Sequence, residues 1–598
     1  MEMHTIPFKR KRTDAEVPPR DTISTKRRRH HISPDLLSPL SDELLIRVLT
    51  FLALPDVLSI ASVSRRFYHL SADSQLWKRL YYSRFVLPRA LRIPGFRHGS
   101  AREGKLHYSS RKAVWADGRR GGWVDMRSDH RAHDESRAWK RQYKLRHNWS
   151  KGKCAVEELR VGCDSVTSQI DPPHKMLVKI AEGIALTAGS SSGLRAWDLK
   201  TKGLLAHVGL EEQDFTASPS SIAIDEQNSP DRTLDVAIGF GDGSFGVWRL
   251  HILERKVTRL YRHEKSGNGS LIGIAFSHPY LLTATQSVLI SLYTFDRPPK
   301  SSLSDTAEHV SPSRTKPGSD GLTEDTVGPK STRSKVTVRG AKSDTVLQAP
   351  YLLTSLKSHT SRSPLALSIR KAGPRTTIAS IAYTFSTLQG WSLGIQDLHL
   401  QAASSLSKTA VDVTTRLAYT MPVGSASSYM SSPPSSPSEI THPSPPTTAR
   451  AISSDGPISL CYTHPYLLAT LPDNTLLLYL CNSTASALSI SPGIRLWGHT
   501  SGISDAEITA RGKAVSVSCR GEEIRVWELE GRTEGKSIEV KPTAKAISEE
   551  VSGATLADEL PPAQWDERRN WVGFDDEMVI VLKESKEGKE SLMVYDFT

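Results

Sequence analysis

The side chains of this 598-residue chain that are able to do chemistry are scattered, not gathered. The five cysteines, Cys154, Cys163, Cys461, Cys481 and Cys519, form no C-x-x-C pair and have no partnering histidine cluster. That argues against a disulfide framework or a zinc site and for a reducing compartment. The histidines lack metal-ligand spacing and read as solvated or structural. Asp575 and Asp576 are adjacent carboxylates of a type that can share a proton, but they sit in turn-like sequence. The glycine-rich stretch FGDGSFG at 240–246 is of a type that cradles phosphate, yet it lies between two apolar strands and reads as a turn. No G-x-S-x-G elbow between a strand and a helix, no H-E-x-x-H and no kinase pattern is present. The expectation is a non-enzyme with no cofactor and no metal, whose function lies in binding surfaces.

The first such surface is carried by LSDELLIRVLTFLALPDVLSIASVSRRFYHLSADSQLWKRL, Leu40 to Leu80. Ser41 is a good N-cap, with Asp42 and Glu43 in the first turn where the helix dipole favours negative charge. Leu44, Leu45, Val48, Leu49 and Leu52 follow at helical spacing. Pro55 breaks the pattern, and Asp56 or a neighbour starts a second helix with Val57, Leu58, Ile60 and Ala61. Val63, Phe67 and Leu70 continue the apolar face, and Ser74 can cap a last helix holding Leu76, Trp77 and Leu80. A unit near forty residues without disulfides or metal is at the size limit for independent stability. It is therefore expected to pack partly on another protein.

Charge is unevenly placed. Residues 1–150 hold 31 Lys and Arg against 15 Asp and Glu, and the rest hold 46 against 49, so the net +13 belongs to the N-terminal quarter. Lys9, Arg10, Lys11 and Arg12 form one cluster and Lys26, Arg27, Arg28 and Arg29 a second, in a tail too poor in apolar residues to fold. They read as nuclear-import signals or as a solvated basic tail. Residues 97–146 interleave basic side chains with aromatics around Trp115, Trp123, Trp139, Tyr143 and Trp149. Such interleaving can bind single-stranded nucleic acid. No module signature accompanies it, and packing within a linker accounts for it equally well, so nucleic acid is not an expected partner. No apolar run is long enough to cross a membrane, and the start, MEMHTIPFKRKR, lacks the apolar core of a secretory signal. Residence in the nucleus, the cytoplasm or both is expected.

From about residue 154 the pattern changes to short apolar strands separated by Gly/Ser/Asp turns. One sub-pattern recurs seven times: 184–199, 236–250, 280–295, 377–398 (the weakest), 466–481, 515–529 and 578–597. Strands repeating in this way read as propeller blades of one sheet each. The last strand nearly ends the chain, leaving the seventh blade without its outer strand, and residues 154–161 (CAVEELRV) are placed to supply it. Two stretches rich in Ser, Thr, Pro and Lys, 297–346 and about 401–455, read as disordered insertions. Among their Ser-Pro sites are Ser311, Ser432, Ser436 and Ser444, open to phosphorylation or simply part of spacers.

The Leu40–Leu80 stretch resembles an F-box, with Ser41 where that family usually has Pro. The resemblance implies that Leu40, Leu44, Leu45, Val48, Leu49, Leu54, Val57, Leu58, Val63, Phe67 and Trp77 include the groups that dock the adaptor of an SCF-type ubiquitin ligase. WKRQYKLRHNWSKGK, Trp139 to Lys153, resembles the basic helix joining F-box to propeller in F-box/WD-repeat proteins, ending near Gly152. Trp197-Asp198, Trp248, Trp527 and Gly498-His499 resemble WD-repeat positions, although Arg520-Gly521 stand where the family's buried His–Ser–Asp–Trp network has Asp. The implied architecture is a disordered tail (1–32), a small all-α F-box domain (33–84), a basic helical linker (85–153) and a seven-bladed all-β propeller (154–598). The implied function is substrate recognition: the F-box docks adaptor and, through it, cullin, while the propeller holds an unknown protein substrate for ubiquitination and degradation. The substrate face would include Ser191, Asp242, Gln286, Asp473 and Arg520, with His499 near its rim, and Arg520 would meet a phosphate or carboxylate. The other reading is a propeller scaffold or nuclear assembly protein working outside ubiquitination.

Overall fold

The structure is a computed structural model. It describes residues 36–37, 39–90, 135–161, 176–210, 217–227, 233–296, 347–373, 375–402, 411–423, 456–484, 486–529, 537–542, 570–584 and 590–598. It divides into two units, Met1–Leu76 and Trp77–Thr598.

In the first unit α1 (Asp42–Leu49), α2 (Leu54–Ile60), α3 (Arg65–Ser71) and the start of α4 (Ser74–Tyr81) form the expected helical cluster, with α3 packed on both α1 and α2. Ser41 takes the N-cap position of α1, but its side chain makes no capping bond. The start of α1 is held from α3 instead. Arg66 reaches the Asp42 carboxylate at 2.7 Å and also donates to the Leu40 carbonyl. Pro55 lies inside the first turn of α2, where a missing N–H costs nothing. Ser64 caps α3 by accepting from the Phe67 amide at 3.2 Å. At α4 it is Asp73, not Ser74, that accepts an amide hydrogen bond, from Gln75 at 2.8 Å. Leu45, Leu49, Val57, Leu70 and Leu76 are buried.

The second unit opens with the end of α4, a π-helical stretch (Tyr82–Val86) and α5 (Leu87–Ala90), and continues in the described residues with α6 (Glu135–Lys151). Trp77 and Phe85 meet Tyr143 edge-on, with ring centroids 5.4 and 5.3 Å away, and Tyr81 meets Trp139 at 5.5 Å. Arg84 donates to the Tyr143 hydroxyl at 2.7 Å. Trp77, Tyr81, Arg84, Phe85, Trp139 and Tyr143 are thus engaged in packing, while Lys144 and Lys151 stay exposed. The nuclear-import clusters, Trp115 and Trp123 lie outside the described residues.

The strands form seven sheets, antiparallel but for one short pairing. Blade one covers residues 177–208, blade two 219–262, blade three 271–357, blade four 361–419, blade five 459–496, blade six 503–539 and blade seven 571–596. The first strands pack blade against blade around a complete ring, ending with Trp571–Phe574 against Leu177–Ala181. Among the described residues, seven apolar clusters fill the seven interfaces between neighbouring blades. This is why second strands such as Ile184–Gly189, Tyr280–Thr285 and Lys513–Ser518 are buried at every position. Covered on both faces, they lose the polar alternation of a solvated sheet.

Blade seven closes as the sequence suggested. Lys153–Arg160 pairs antiparallel with Glu590–Asp596, from Ala155 opposite Asp596 to Arg160 opposite Ser591. Its other edge adds a short parallel pairing to Lys541–Pro542. Gly152, at φ +67°, turns the chain from α6 into this strand, where a Cβ would stand 2.1 Å from the Glu539 carbonyl oxygen. Only glycine fits there. One expectation needs correction. The stretch 401–455 is not wholly an insertion, because Val411–Tyr419 forms the outer strand of blade four, in register with Gly394–Ala402. Its polar composition follows from being an outer strand with one side open. Residues 297–346, the rest of the second insertion except 401–402 and 420–423, and the four Ser-Pro sites lie outside the described residues.

Alpha6 is fastened to the closed ring. Trp149, 1 % exposed, stacks on Phe597 at 3.9 Å and 7°, donates from Nε1 to the Asp576 carbonyl at 3.0 Å, and has Lys513 Nζ 3.9 Å from its ring centre. Asn148 donates to the Phe597 carbonyl at 2.8 Å, and Arg141 reaches Glu577 at 3.1 Å. Trp149→Ala is expected to cost about 3–5 kcal/mol, read as a lower urea midpoint for propeller unfolding. An unchanged midpoint would show that α6 does not hold the ring.

Candidate functional site

Alpha1 presents two apolar stripes. Leu45 and Leu49 point inward and are buried, whereas Leu44 and Val48 are about half exposed and Phe51, in the following turn, is 74 % exposed. At 100° per residue, Leu44, Val48 and Phe51 (i, i+4, i+7) make one row beside the buried one. Leu58 on α2, Val63 in the turn before α3 and Tyr68 on α3 are exposed as well. Of the side chains expected to dock the adaptor, Leu44, Val48, Leu58 and Val63 are therefore available at the surface. Leu40, Leu54 and Phe67 are half-buried, and Leu45, Leu49, Val57 and Trp77 are buried within the chain. Phe51 and Tyr68 were not singled out from sequence; the seven-residue spacing from Leu44 was the signal for Phe51. Isolated exposed apolar residues are ordinary, but six on three short helices and the turns beside them in one small unit are not.

On the propeller, Ser191, Asp242, Gln286, Asp473 and Arg520 all occupy turns between second and third strands. Arg520 is exposed. Asp242 is half-buried and holds its own turn, accepting from the Ser244 amide at 3.0 Å and hydroxyl at 2.6 Å. His499 stands behind the surface. Its ring has no exposed side-chain area, Nε2 lies 2.6 Å from the Ser516 hydroxyl, and Trp527 Nε1 donates to that same oxygen at 2.9 Å. Burial pushes His499 down to about 4, with the Glu523 charge pulling the other way. Asp242 belongs to blade two, Arg520 to blade six and His499 to the segment leading into blade six, and among the described residues no hydrogen bond or ion pair links the three.

The same cluster supplies what the Arg520-Gly521 reading lacked. Glu523 accepts from the Thr500 amide and hydroxyl at 3.1 and 3.0 Å, lies 3.4 Å from His499 Nδ1 and pairs with Arg525. A glutamate three residues on takes the expected carboxylate's place. In blade one Trp197 Nε1 likewise donates to the Thr187 hydroxyl at 3.0 Å. In blade two Trp248 is opposite Val236, and Ile238 stands where that hydroxyl would be, so packing and the Arg262 guanidinium, 6.0 Å from its ring centre, hold it instead.

The opposite end of the channel, where the first strands run out, gathers charge. A cavity of about 380 Å³ there is lined by Glu182, Glu226, Glu507, Arg511, Asp575 and Glu577, among others. Lys179 pairs with Glu507 at 3.3 Å, Glu577 is shared by Arg141 and Lys200, and Arg511 reaches Asp576 at 3.3 Å. Asp575 ties blade seven to blade one by accepting from the amides of Glu577, Met578 and Gly183. Burial pushes it up to about 6 against those bonds. Glu226 keeps an exposed side chain at the channel mouth but is pushed up to about 7, first by the atoms crowded around it and then by the Glu507 charge. Among the described residues no group of three or more His, Cys, Asp or Glu is arranged to hold a metal. Cys154 and Cys461 are free thiols that burial pushes up to about 12, and burial also raises Cys481, so none of the three offers a thiolate near neutrality.

Glu226 sets the sign of a pH effect. Its folded pKa lies above the unfolded one, so the penalty for its charge is complete above pH 7 and relieved as pH falls towards 4.5. Glu226→Gln should therefore raise the melting temperature at pH 8, with the gap from wild type closing by pH 5. A gap that widens on acidification would place the Glu226 shift in the other direction.

Two family models match the chain. The one described as F-box-like covers residues 42–83, and the one described as F-box protein pof12 beta-propeller covers residues 154–598. No curated protein matches in sequence. Among solved structures, the chain is similar to the computationally designed Ika8 protein (12 % identity, 71 % of this chain and 83 % of that one, TM-score 0.33). It is also similar to U3-55K (9 % identity, 74 % and 98 %, TM-score 0.36). Seven closed blades preceded by an F-box-like helical unit, with the propeller model spanning 154–598, place the chain in the family of the F-box protein pof12 beta-propeller.

Proposed function

We propose that this protein is the substrate-recognition subunit of an SCF-type cullin ubiquitin ligase, in which the helical unit docks the adaptor and the propeller holds the substrate. The observation that carries the reading is the Leu44–Val48–Phe51 row, with Leu58, Val63 and Tyr68, left exposed beside a small core that is already filled. Burying a large apolar side chain is worth roughly 1.5–3 kcal/mol. A partner that covered half of the row and its neighbours would gain enough to bind firmly. The adaptor would bring the cullin, and the bond-forming chemistry would belong to other subunits. This chain would contribute proximity, raising the effective concentration of substrate lysines near the ligase. The basic clusters Lys9–Arg12 and Lys26–Arg29 support a nuclear pool of the protein.

The sorting of α1 into two stripes sharpens the test. Leu44→Ala/Val48→Ala/Phe51→Ala removes only exposed side chains, and co-purification of the full chain with adaptor and cullin should fall at least tenfold while its circular dichroism is unchanged. Leu45→Ala should instead loosen the helical unit itself. Undiminished adaptor capture by the triple variant, or none by the wild type, would sink the receptor reading and favour a propeller scaffold outside ubiquitination.

A further inference from the structure

Blade four stands taller than its neighbour on the face that carries the turns between second and third strands. Gly273 of blade three faces Leu367 of blade four, which sets a common level. Gly273 is paired with Ala284, one residue before the second strand of blade three ends at Thr285. Leu367 is paired with Ile381, six residues before the corresponding strand ends at Thr387. The blade-four hairpin thus rises five residues further, roughly 16 Å at 3.3 Å per residue, to a tip where Leu388 is fully exposed. Backbone pairing continues almost to the tip, through Phe385 opposite Ser392 and Thr387 opposite Gly390. Val423 and Thr420 brace its outer side by bonds to Trp391 and Leu393. It is a rigid wall, not a loose loop.

Between this wall and blade three lies a cleft of about 650 Å³, too large for one side chain. Tyr383, Phe385 and Tyr419 form its aromatic side and Ile290 and Leu356 its aliphatic side. Serine and threonine hydroxyls rim it. Among the described residues lining it, Lys357 is the one charged side chain, and it is exposed. Ser392 also lines the cleft; it is 1 % exposed, and its hydroxyl has no hydrogen-bond partner among the described residues. A buried orphan hydroxyl is costly until something bonds it.

We propose that this cleft receives an extended segment of the protein substrate: a bulky apolar side chain seated against Tyr383 and Phe385, a backbone group meeting Ser392, and an acidic residue beside it paired with Lys357. The acidic requirement follows from charge, since the described residues of the lining offer one cation and no carboxylate to oppose it. The proposal rests on the receptor reading for the word substrate, but the cleft's preference for peptide does not depend on adaptor binding. It also places recognition off the channel axis, away from Arg520 in blade six.

The test pans a phage-displayed library of random dodecapeptides on the immobilised full-length chain, then measures enriched peptides by fluorescence polarisation. Enriched sequences should share an aromatic or leucine with Asp or Glu within three positions. Lys357→Glu, a surface change, should weaken them at least tenfold, and panning on that variant should enrich Lys or Arg instead. Ser392→Trp, which fills the cleft, should abolish binding with the propeller's melting cooperativity retained. No enrichment, or enriched peptides indifferent to Lys357→Glu, would overturn the proposal. Adaptor capture is measured on the same preparations. Capture without peptide binding removes the cleft alone, and peptide binding without capture keeps the cleft and removes the receptor reading.

Discussion

The propeller depends on one backbone pairing, that of Lys153–Arg160 with Glu590–Asp596. Every interface between blades is an apolar cluster shared by two sheets, so an open ring would leave two of these faces, and two sheet edges, in water. Antiparallel hydrogen bonds between the two ends of the domain close the circle and fix the register of blade seven. Trp149 reinforces the closure from the N-terminal side, because its ring is sandwiched between Phe597 and the Lys513 ammonium. Gly152 makes the junction possible by turning the chain where no side chain has room.

A closed ring of buried second strands leaves little freedom except at the strand ends, and the features that distinguish this chain are found there. At one end carboxylates crowd the channel, balanced by Lys179, Lys200, Arg141 and Arg511. At the other, blade four rises above the face and opens a cleft against blade three. The helical unit follows another rule. It is so small that the inward stripe of α1 fills the core, and the next stripe, Leu44, Val48 and Phe51, keeps about half or more of its surface exposed among the described residues.

Much of this was legible in the residues. The helical run from Leu40, the break at Pro55 and the seven recurring strand pairs follow from local patterns of spacing and turn chemistry, and the helix ending near Gly152 was implied by the family resemblance. The supply of the missing outer strand by residues 154–161 was also readable, since a ring that must close and a chain that ends one strand short leave few donors. The strand at Val411–Tyr419 was not. Its alternation is masked by the Ser- and Thr-rich sequence around it, and an outer strand needs few apolar residues.

The sequence by itself determined what its periodicities encode: a compact helical unit and a seven-fold β repeat. Only the tertiary structure decided which side chains those elements keep and which they offer. Leu44 and Leu45 are neighbours of one type, yet one is exposed and the other buried, because the packing of α3 on α1 selects a single stripe. His499 has the composition of a site residue and is instead sealed with Ser516 and Trp527, while Glu523, unremarked in sequence, completes its surroundings. The cleft beneath Leu388 exists because two blades at one level differ in height, a relation between strands a hundred residues apart that no local pattern records.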